Sequence, residues 1–172
     1  NAVVFQSRGP MVGQTAVGGA FTQAGGLTAS NYATFGTSVW SAPYTYNGEV
    51  YAAINFGCTI TGCGIVTTGN YSTVNGTTAS NIARSGVALG SGLNAPGRAL
   101  AVYGGSLIVG GDFTTAGGVP ASRIAQWNGS TWSTFNGASL NGSVYAMIIW
   151  NSQLVVAGSF TQINGQSFNG IA

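Results

Sequence analysis

The sequence predicts an all-β repeat protein, and three observations carry that expectation. The first is the brevity of its apolar runs. Val144 to Trp150 and Leu154 to Ala157, joined by Asn151 to Gln153, are too short for helices and rich in branched or aromatic residues. Val144, Ala146 and Ile148 alternate with Tyr145, Met147 and Ile149, so apolar groups fall on both faces of an extended strand and both faces need cover. The second is a set of seven Asn-Gly pairs, beginning at residues 47, 75, 128, 136, 141, 164 and 169. Both residues of such a pair tolerate positive φ, which a tight hairpin demands, so these predict many short antiparallel strands.

The third is an internal repeat. "VGGAFTQAGGLTASNYATF" from Val17, "TTGNYSTVNGTTASNIAR" from Thr67, "VGGDFTTAGGVPASRIAQW" from Val109 and "VAGSFTQINGQSFNGIA" from Val156 are versions of one motif. Its aromatic anchor falls at Phe21, Tyr71, Phe113 and Phe160, at intervals of 50, 42 and 47 residues. A second motif precedes it, as "NGEVYAAINF" from Asn47, "PGRALAVYGGSLIV" from Pro96 and "NGSVYAMIIWNSQLVV" from Asn141, with "NAVVFQS" at the start as a remnant. The chain reads as a single β-repeat domain of four units, residues 1–46, 47–95, 96–140 and 141–172, the last incomplete. Units of about 45 residues suit a β-propeller, the favoured architecture, with a linear β-solenoid as the alternative.

Glycine and aromatic residues then form two halves of one packing device. Pairs such as Gly110-Gly111 and Gly117-Gly118 let backbones approach closely, while Phe113, Trp127 and Trp132 fill the space between neighbouring sheets. Recurrence in unit after unit favours a core role over a ligand platform, because each repeat packs on its neighbours.

Composition excludes most chemistries. Arg8, Arg84, Arg98 and Arg123 face only Glu49 and Asp112, with no Lys and no His, for a net charge of +2. Four scattered arginines do not make the basic band that nucleic acid requires. Without His or Lys there is no Ser-His-Asp or Cys-His nucleophile, no His-based metal site and no Schiff base. Glycoside hydrolysis needs two carboxylates at a fixed separation, and the two available belong to different motifs of different units. No enzyme, cofactor or metal is therefore expected; Asp112 has Ala20, Asn70 and Ser159 at its slot in the other units, which argues against a repeated Ca²⁺ ligand. The longest apolar run is seven residues, Val144 to Trp150, so membrane insertion is not expected. Asn1 to Pro10 lacks the pattern of a signal peptide, and the chain reads as a mature or excised piece.

Cys58 and Cys63, in "GCTITGCG", are the only cysteines, and their spacing suits a disulfide across a tight hairpin in an oxidising compartment. A redox CxxC or a metal site would need a different spacing or further ligands. Asn70, Asn75, Asn128 and Asn141 head glycosylation sequons. Glu49, Arg98 and Ser143 share one slot of the repeat, which places Glu49 and Arg98 as a candidate salt bridge between stacked units.

From about Leu100 to Thr161 the chain resembles a secreted bacterial repeat whose consensus runs GG-x-F-T-x-A-G-G, then I-A-x-W-N/D-G with a second Trp, then V-x-A-L and L-x-V-G-G. That repeat is similar to kelch-type β-propeller blades and to repeats of fungal cell-wall polarity marker proteins. Unit one departs from it in keeping Trp40 alone, and unit two has "ARSGVALGSG" where the Trp pair belongs. The resemblance implies an extracellular or cell-surface all-β scaffold and carries over no catalytic residue.

The fourth unit stops at Ile171-Ala172, short of a Trp-bearing strand pair, so the chain is expected either to continue or to be completed at an open strand edge by a neighbouring copy. Two functions remain. One is a non-catalytic, self-associating structural unit of a fibre, sheath or surface layer. The other is a carbohydrate-binding propeller, lectin-like or adhesin-like, holding glycans on exposed aromatics among Trp40, Trp127, Trp132 and Trp150.

Overall fold

The computed structural model describes residues 2–6, 14–59 and 62–172, with side chains outside residues 1–14 and 59–63. It is all-β: three main sheets are four-stranded and antiparallel, the fourth is an antiparallel pair, and each is accompanied by a small two-stranded hairpin. The chain divides into two compact units, Asn1–Leu89 and Gly90–Ala172.

In the first unit, β1 (Ala2–Gln6), β2 (Gln14–Gly19), β5 (Tyr32–Gly36) and β6 (Val39–Ser41) form sheet one. The small hairpin β3 (Gln23–Ala24) and β4 (Leu27–Thr28) lies between β2 and β5 in sequence. Sheet two consists of β7 (Glu49–Thr59), β8 (Gly62–Asn70), β11 (Ile82–Arg84) and β12 (Val87–Ala88), with the small hairpin β9 (Thr73–Val74) and β10 (Thr77–Thr78). In the second unit, sheet three holds β13 (Gly97–Tyr103), β14 (Ser106–Gly111), β17 (Ile124–Trp127) and β18 (Trp132–Thr134), with β15 (Thr115–Ala116) and β16 (Val119–Pro120) as its small hairpin. Sheet four is the pair β19 (Val144–Trp150) and β20 (Gln153–Gly158), with the small hairpin β21 (Gln162–Ile163) and β22 (Gln166–Ser167).

Backbone hydrogen bonds repeat as the sequence does. Ala29, Ala79, Ala121 and Phe168 donate to the carbonyls of Thr22, Ser72, Thr114 and Thr161, which closes each small hairpin against its own base. Gly19, Gly69, Gly111 and Gly158 donate to residues 31, 81, 123 and 170. That receiving residue, Asn31, Asn81, Arg123 or Gly170, has positive φ in every unit. The small hairpins turn through Gly25-Gly26, Asn75-Gly76, Gly117-Gly118 and Asn164-Gly165, with left-handed φ at both residues, as a type I′ turn requires. Among the seven Asn-Gly pairs, those at 75, 136 and 164 adopt this form, whereas Asn47 and Asn141 do not and serve another purpose described below.

The expected pairing of glycine with aromatic is present. At Gly25 an added Cβ would strike the indole of Trp40, and at Gly117 that of Trp132. A side chain at either turn would displace the ring, so the Gly and the Trp occur together in units one and three. Units two and four carry Asn75 and Asn164 there instead; the side-chain carbonyls accept the backbone N–H of Thr45 and Ser139 at 2.8 Å each.

Of the anchors, Tyr71, Phe113 and Phe160 are buried, while Phe21 is half-buried. Trp127 and Trp132 are buried and pack with ring centroids 5.3 Å apart. The first compact unit has a polar variant of the same core. Where the second compact unit has Leu93, Val109 and Phe113, the first has Tyr46, Thr67 and Tyr71. The Thr67 hydroxyl lies 2.9 Å from the Tyr46 hydroxyl and 3.1 Å from that of Tyr71, which also donates to the Thr67 carbonyl at 2.8 Å. Three buried hydroxyls therefore satisfy one another, as a buried polar group must.

Candidate functional site

The 47-residue spacing between the two repeats of the second unit allows a position-by-position comparison, and it isolates one surface. Strand alternation and the register of β13, β14 and β17 put Ala99, Ala101, Ile108, Gly110 and Ile124 on one face of sheet three. We call this the leading face. Ala101, Ile108 and Ile124 are buried in a cluster with Leu140 and with Val144, Val156 and Phe160 of the following repeat. Gly110 matters here, because a Cβ on it would lie 2.6 Å from Val144 Cγ1; glycine lets β19 seat closely. Sheet one is covered in the same sense: Ala16 and Tyr32 are buried with Tyr46 and with Val50 and Tyr71 of the second repeat.

On sheet four the register of β19 with β20 puts Ala146, Ile148, Trp150, Val155 and Ala157 on the leading face, and Ile171 pairs beside Ala157. This face is open. Ile148 is 58% exposed where Ala101 is 5%, and Ile171 is 65% exposed where Ile124 is 2%. Trp150 is 64% exposed, and Tyr145 at the start of the same strand is exposed as well. The opposite, trailing face of sheet four, with Val144, Met147, Leu154 and Val156, is the one turned to sheet three.

Three asparagines fix the entry of each covering sheet. Asn47 Oδ1 accepts the backbone N–H of Ser72 and Thr73, and its Nδ2 donates to Ser72 Oγ, each at 2.9 Å. Asn94 makes the same set with Thr114 and Thr115, and Asn141 with Thr161 and Gln162. Each clamp ties the start of a β hairpin to the residue after the aromatic anchor. The spacing of the three, 47 residues twice, was present in the sequence, but Asn94 is followed by Ala and so escaped a search for Asn-Gly.

The charged residues take local partners. Arg98 Nε donates to both Asp112 carboxylate oxygens at 2.9 and 2.8 Å, and its Nη2 lies 2.6 Å from Oδ2. Asp112 is thus a carboxylate partner of Arg98 within the second unit. The physical reason is strand pairing: Gly97 faces Gly111 across β13 and β14, which brings the next residue of each strand together. The hydrogen bonds from Arg98 lead in holding the Asp112 carboxyl below the usual range, with help from Ser143 and Arg123. Arg123 donates to the Asp112 carbonyl, and the Arg98 guanidinium stands over the Tyr145 ring at 5.5 Å. Glu49 begins β7, opposite Asn70.

The cysteines occupy the β7–β8 hairpin, which is longer than its counterparts in the other units. Cys58 is on β7 and Cys63 on β8; the side chain of Cys63 lies outside the described residues. At the base of this extension Arg84 donates to the carbonyls of Phe56 and Gly57 at 3.2 Å each and stands 5.9 Å from the Phe56 ring centroid. Arg84, Ser85, Val87, Ala88 and Leu89 line a shallow, open depression of about 330 Å³. Among the described residues no cluster of three His, Cys, Asp or Glu is brought together.

The sequon asparagines differ in what their amides do. Asn141 is a clamp; Asn128 accepts from Ser130 and Thr131 and donates to Thr131 Oγ1; Asn75 holds Thr45; Asn70 is exposed at the end of β8.

The family described as "Domain of unknown function (DUF5122) beta-propeller" matches residues 105–130 and 151–172. These segments fall on the β14–β17 stretch of unit three and its counterpart in unit four. No curated protein matches the chain, and no solved structure does. The chain is an all-β repeat protein, and over two successive repeats it is similar to that β-propeller family.

Proposed function

We propose that the protein is a non-catalytic, extracellular structural element, a self-associating unit of a fibre, sheath or surface layer. The observation that carries this reading is the open leading face of sheet four. Ile148, Trp150 and Ile171 stand in water at positions of a repeat whose counterparts are covered or half-buried. Complete burial of one such side chain contributes about 1.5–3 kcal/mol, so covering three of them is a substantial drive to association. Contiguous exposed apolar surface of this kind marks contact sites in folded proteins. A surface with six charged residues in the whole chain offers little electrostatic repulsion between copies.

Secretion fits the Cys58–Cys63 disulfide that we propose for the β7–β8 hairpin, and the neutral, Asn-rich surface. Alkylation of the denatured, unreduced chain tests the cross-link: no added mass supports it, and two added labels rule it out. Carbohydrate binding is the second reading, favoured by the exposed indole of Trp150; Trp127 and Trp132, being buried, offer no platform. Sedimentation velocity across a micromolar concentration series, together with a glycan array, separates the two. Concentration-dependent growth without glycan binding supports the structural role, and a monomer that binds glycans overturns it.

A further inference from the structure

The seven Asn-Gly pairs differ in what restrains the asparagine amide. Asn47 and Asn141 each accept two backbone N–H groups in their clamps, and Asn128 accepts those of Ser130 and Thr131. Asn75 and Asn164 each accept one, from Thr45 and Ser139, at 2.8 Å. Asn169 is exposed, but it precedes main chain held in a sheet: the Gly170 carbonyl accepts the N–H of Gly158 at 2.9 Å, and Ile171 pairs with Ala157. Asn136 is exposed as well, and among the described residues its amide has no hydrogen-bond partner. Its turn is closed by a main-chain bond from Ala138 N–H to the Phe135 carbonyl at 2.8 Å.

Asn75, Asn136 and Asn164 form a matched set. All three are exposed and followed by an exposed glycine. Their φ values are 51°, 48° and 51°, and those of the glycines are 77°, 68° and 78°. Backbone and solvent access are therefore alike, and the side-chain bond is what sets Asn136 apart. An asparagine Cγ and the backbone nitrogen of the next residue can close a five-membered ring, and glycine, without a Cβ, leaves that nitrogen accessible. Closure requires the side chain to swing onto its own main chain. At Asn75 and Asn164 the bond to a segment 30 or 25 residues away must break first.

We propose that Asn136 is a site of spontaneous covalent modification, deamidation through a succinimide. The Gly137 nitrogen attacks Asn136 Cγ; the N–Cγ bond forms, the Cγ–Nδ2 bond breaks, and Nδ2 leaves as ammonia with the proton lost by Gly137. Water then opens the imide. Addition at Cγ gives aspartate, and addition at the main-chain carbonyl gives isoaspartate, whose main chain runs through the former side chain and is one carbon longer. Water is the sole co-reactant, and nothing is oxidised or reduced. Either product adds a third acid to a chain that has two and lowers its net charge of +2. Isoaspartate also lengthens the main chain between Phe135 and Ala138, which pack against the cluster joining sheets three and four.

The test is peptide mapping by mass spectrometry of the folded chain during storage in mildly alkaline buffer, with aspartate and isoaspartate products separated by chromatography. Conversion at Asn136 is expected to run at least about fivefold faster than at Asn75 or Asn164, which corresponds to about 1 kcal/mol, the net worth of one such hydrogen bond. In denaturant, where turns and bonds are lost, the three rates are expected to converge. Asn136→Gln is expected to remove the earliest acidic species seen on ion exchange, with an unchanged circular dichroism spectrum. A folded-state rate at Asn136 equal to or below those at Asn75 and Asn164 would overturn the inference, as would the same preference persisting in denaturant.

Discussion

The ring of Trp132 lies against the backbone of Gly117, in the space that a side chain at that turn would occupy. Gly117 and Gly118 share a type I′ turn at φ 60° and 81°, yet a Cβ on Gly118 would meet nothing within 4 Å. Alanine at Gly118 therefore pays only for left-handed backbone, about 1 kcal/mol. At Gly117 displacement of the indole adds a further 1–3 kcal/mol, roughly the cost of an overpacked site. Urea denaturation of Gly117→Ala and Gly118→Ala is expected to show that difference. Equal losses would contradict the packing role.

Asn94 bridges two backbone N–H groups and a hydroxyl with one side chain. Asn94→Ala is expected to destabilise by about 1–3 kcal/mol, the range for stranded hydrogen-bond partners. Asn94→Asp keeps the acceptor oxygen and is expected to lose less. Thermal unfolding of the two variants checks the order.

Thr67 holds the hydroxyls of Tyr46 and Tyr71 in the core of the first unit. Thr67→Val restores the residue found at the same slot in units three and four, but it leaves the Tyr46 hydroxyl buried without this partner, at a cost of about 1–3 kcal/mol. Adding Tyr46→Leu and Tyr71→Phe is expected to recover most of that loss. Measured stabilities of the single and triple variants decide it.

Burial pushes the phenols of Tyr32, Tyr46 and Tyr71 well up from 10.0. A raised folded value means the fold holds these protons more tightly than the unfolded chain does. Their contribution is complete below pH 10 and is lost as pH rises from there toward the folded values. Each phenol withdraws about 1.4 kcal/mol per pH unit in that window. Urea midpoints between pH 9 and 12 are expected to fall steeply above 10; a flat profile would contradict burial of the three rings.

Asp112 titrates in the opposite sense. Its lowered value means its stabilisation is present above 3.8 and fades as pH falls through the folded value. With both side chains partly exposed, a double-mutant cycle of Arg98→Ala and Asp112→Ala is expected to show coupling of up to about 1 kcal/mol.

The sequence made the repeat, the strand class and the Gly-Trp pairing legible, because each depends on local chemistry that recurs at a fixed interval. Trp132 and Gly117 could be matched by position alone. Arg98 with Asp112 could not, since that contact depends on the register of β13 with β14, and repeat alignment compares equivalent slots rather than opposite ones. The Asn47, Asn94 and Asn141 clamp was hidden by a stronger local signal: Asn-Gly reads as a hairpin turn, and only the recurring Asn, without its Gly, marks the clamp. The open face of sheet four was invisible for a different reason. Ile148 and Ala101 have the same apolar character in sequence, and burial alone tells them apart.

The central claim is that four copies of one hydrogen-bonded unit make up this chain. Amide hydrogen exchange followed by NMR tests it most directly, at the N–H groups of Ala29, Ala79, Ala121 and Phe168, which close the four small hairpins. The account predicts slowed exchange at all four, with Gly19, Gly69, Gly111 and Gly158 protected alongside them. Exchange at the free-chain rate at any of the four closing amides, while its sheet remained protected, would contradict it.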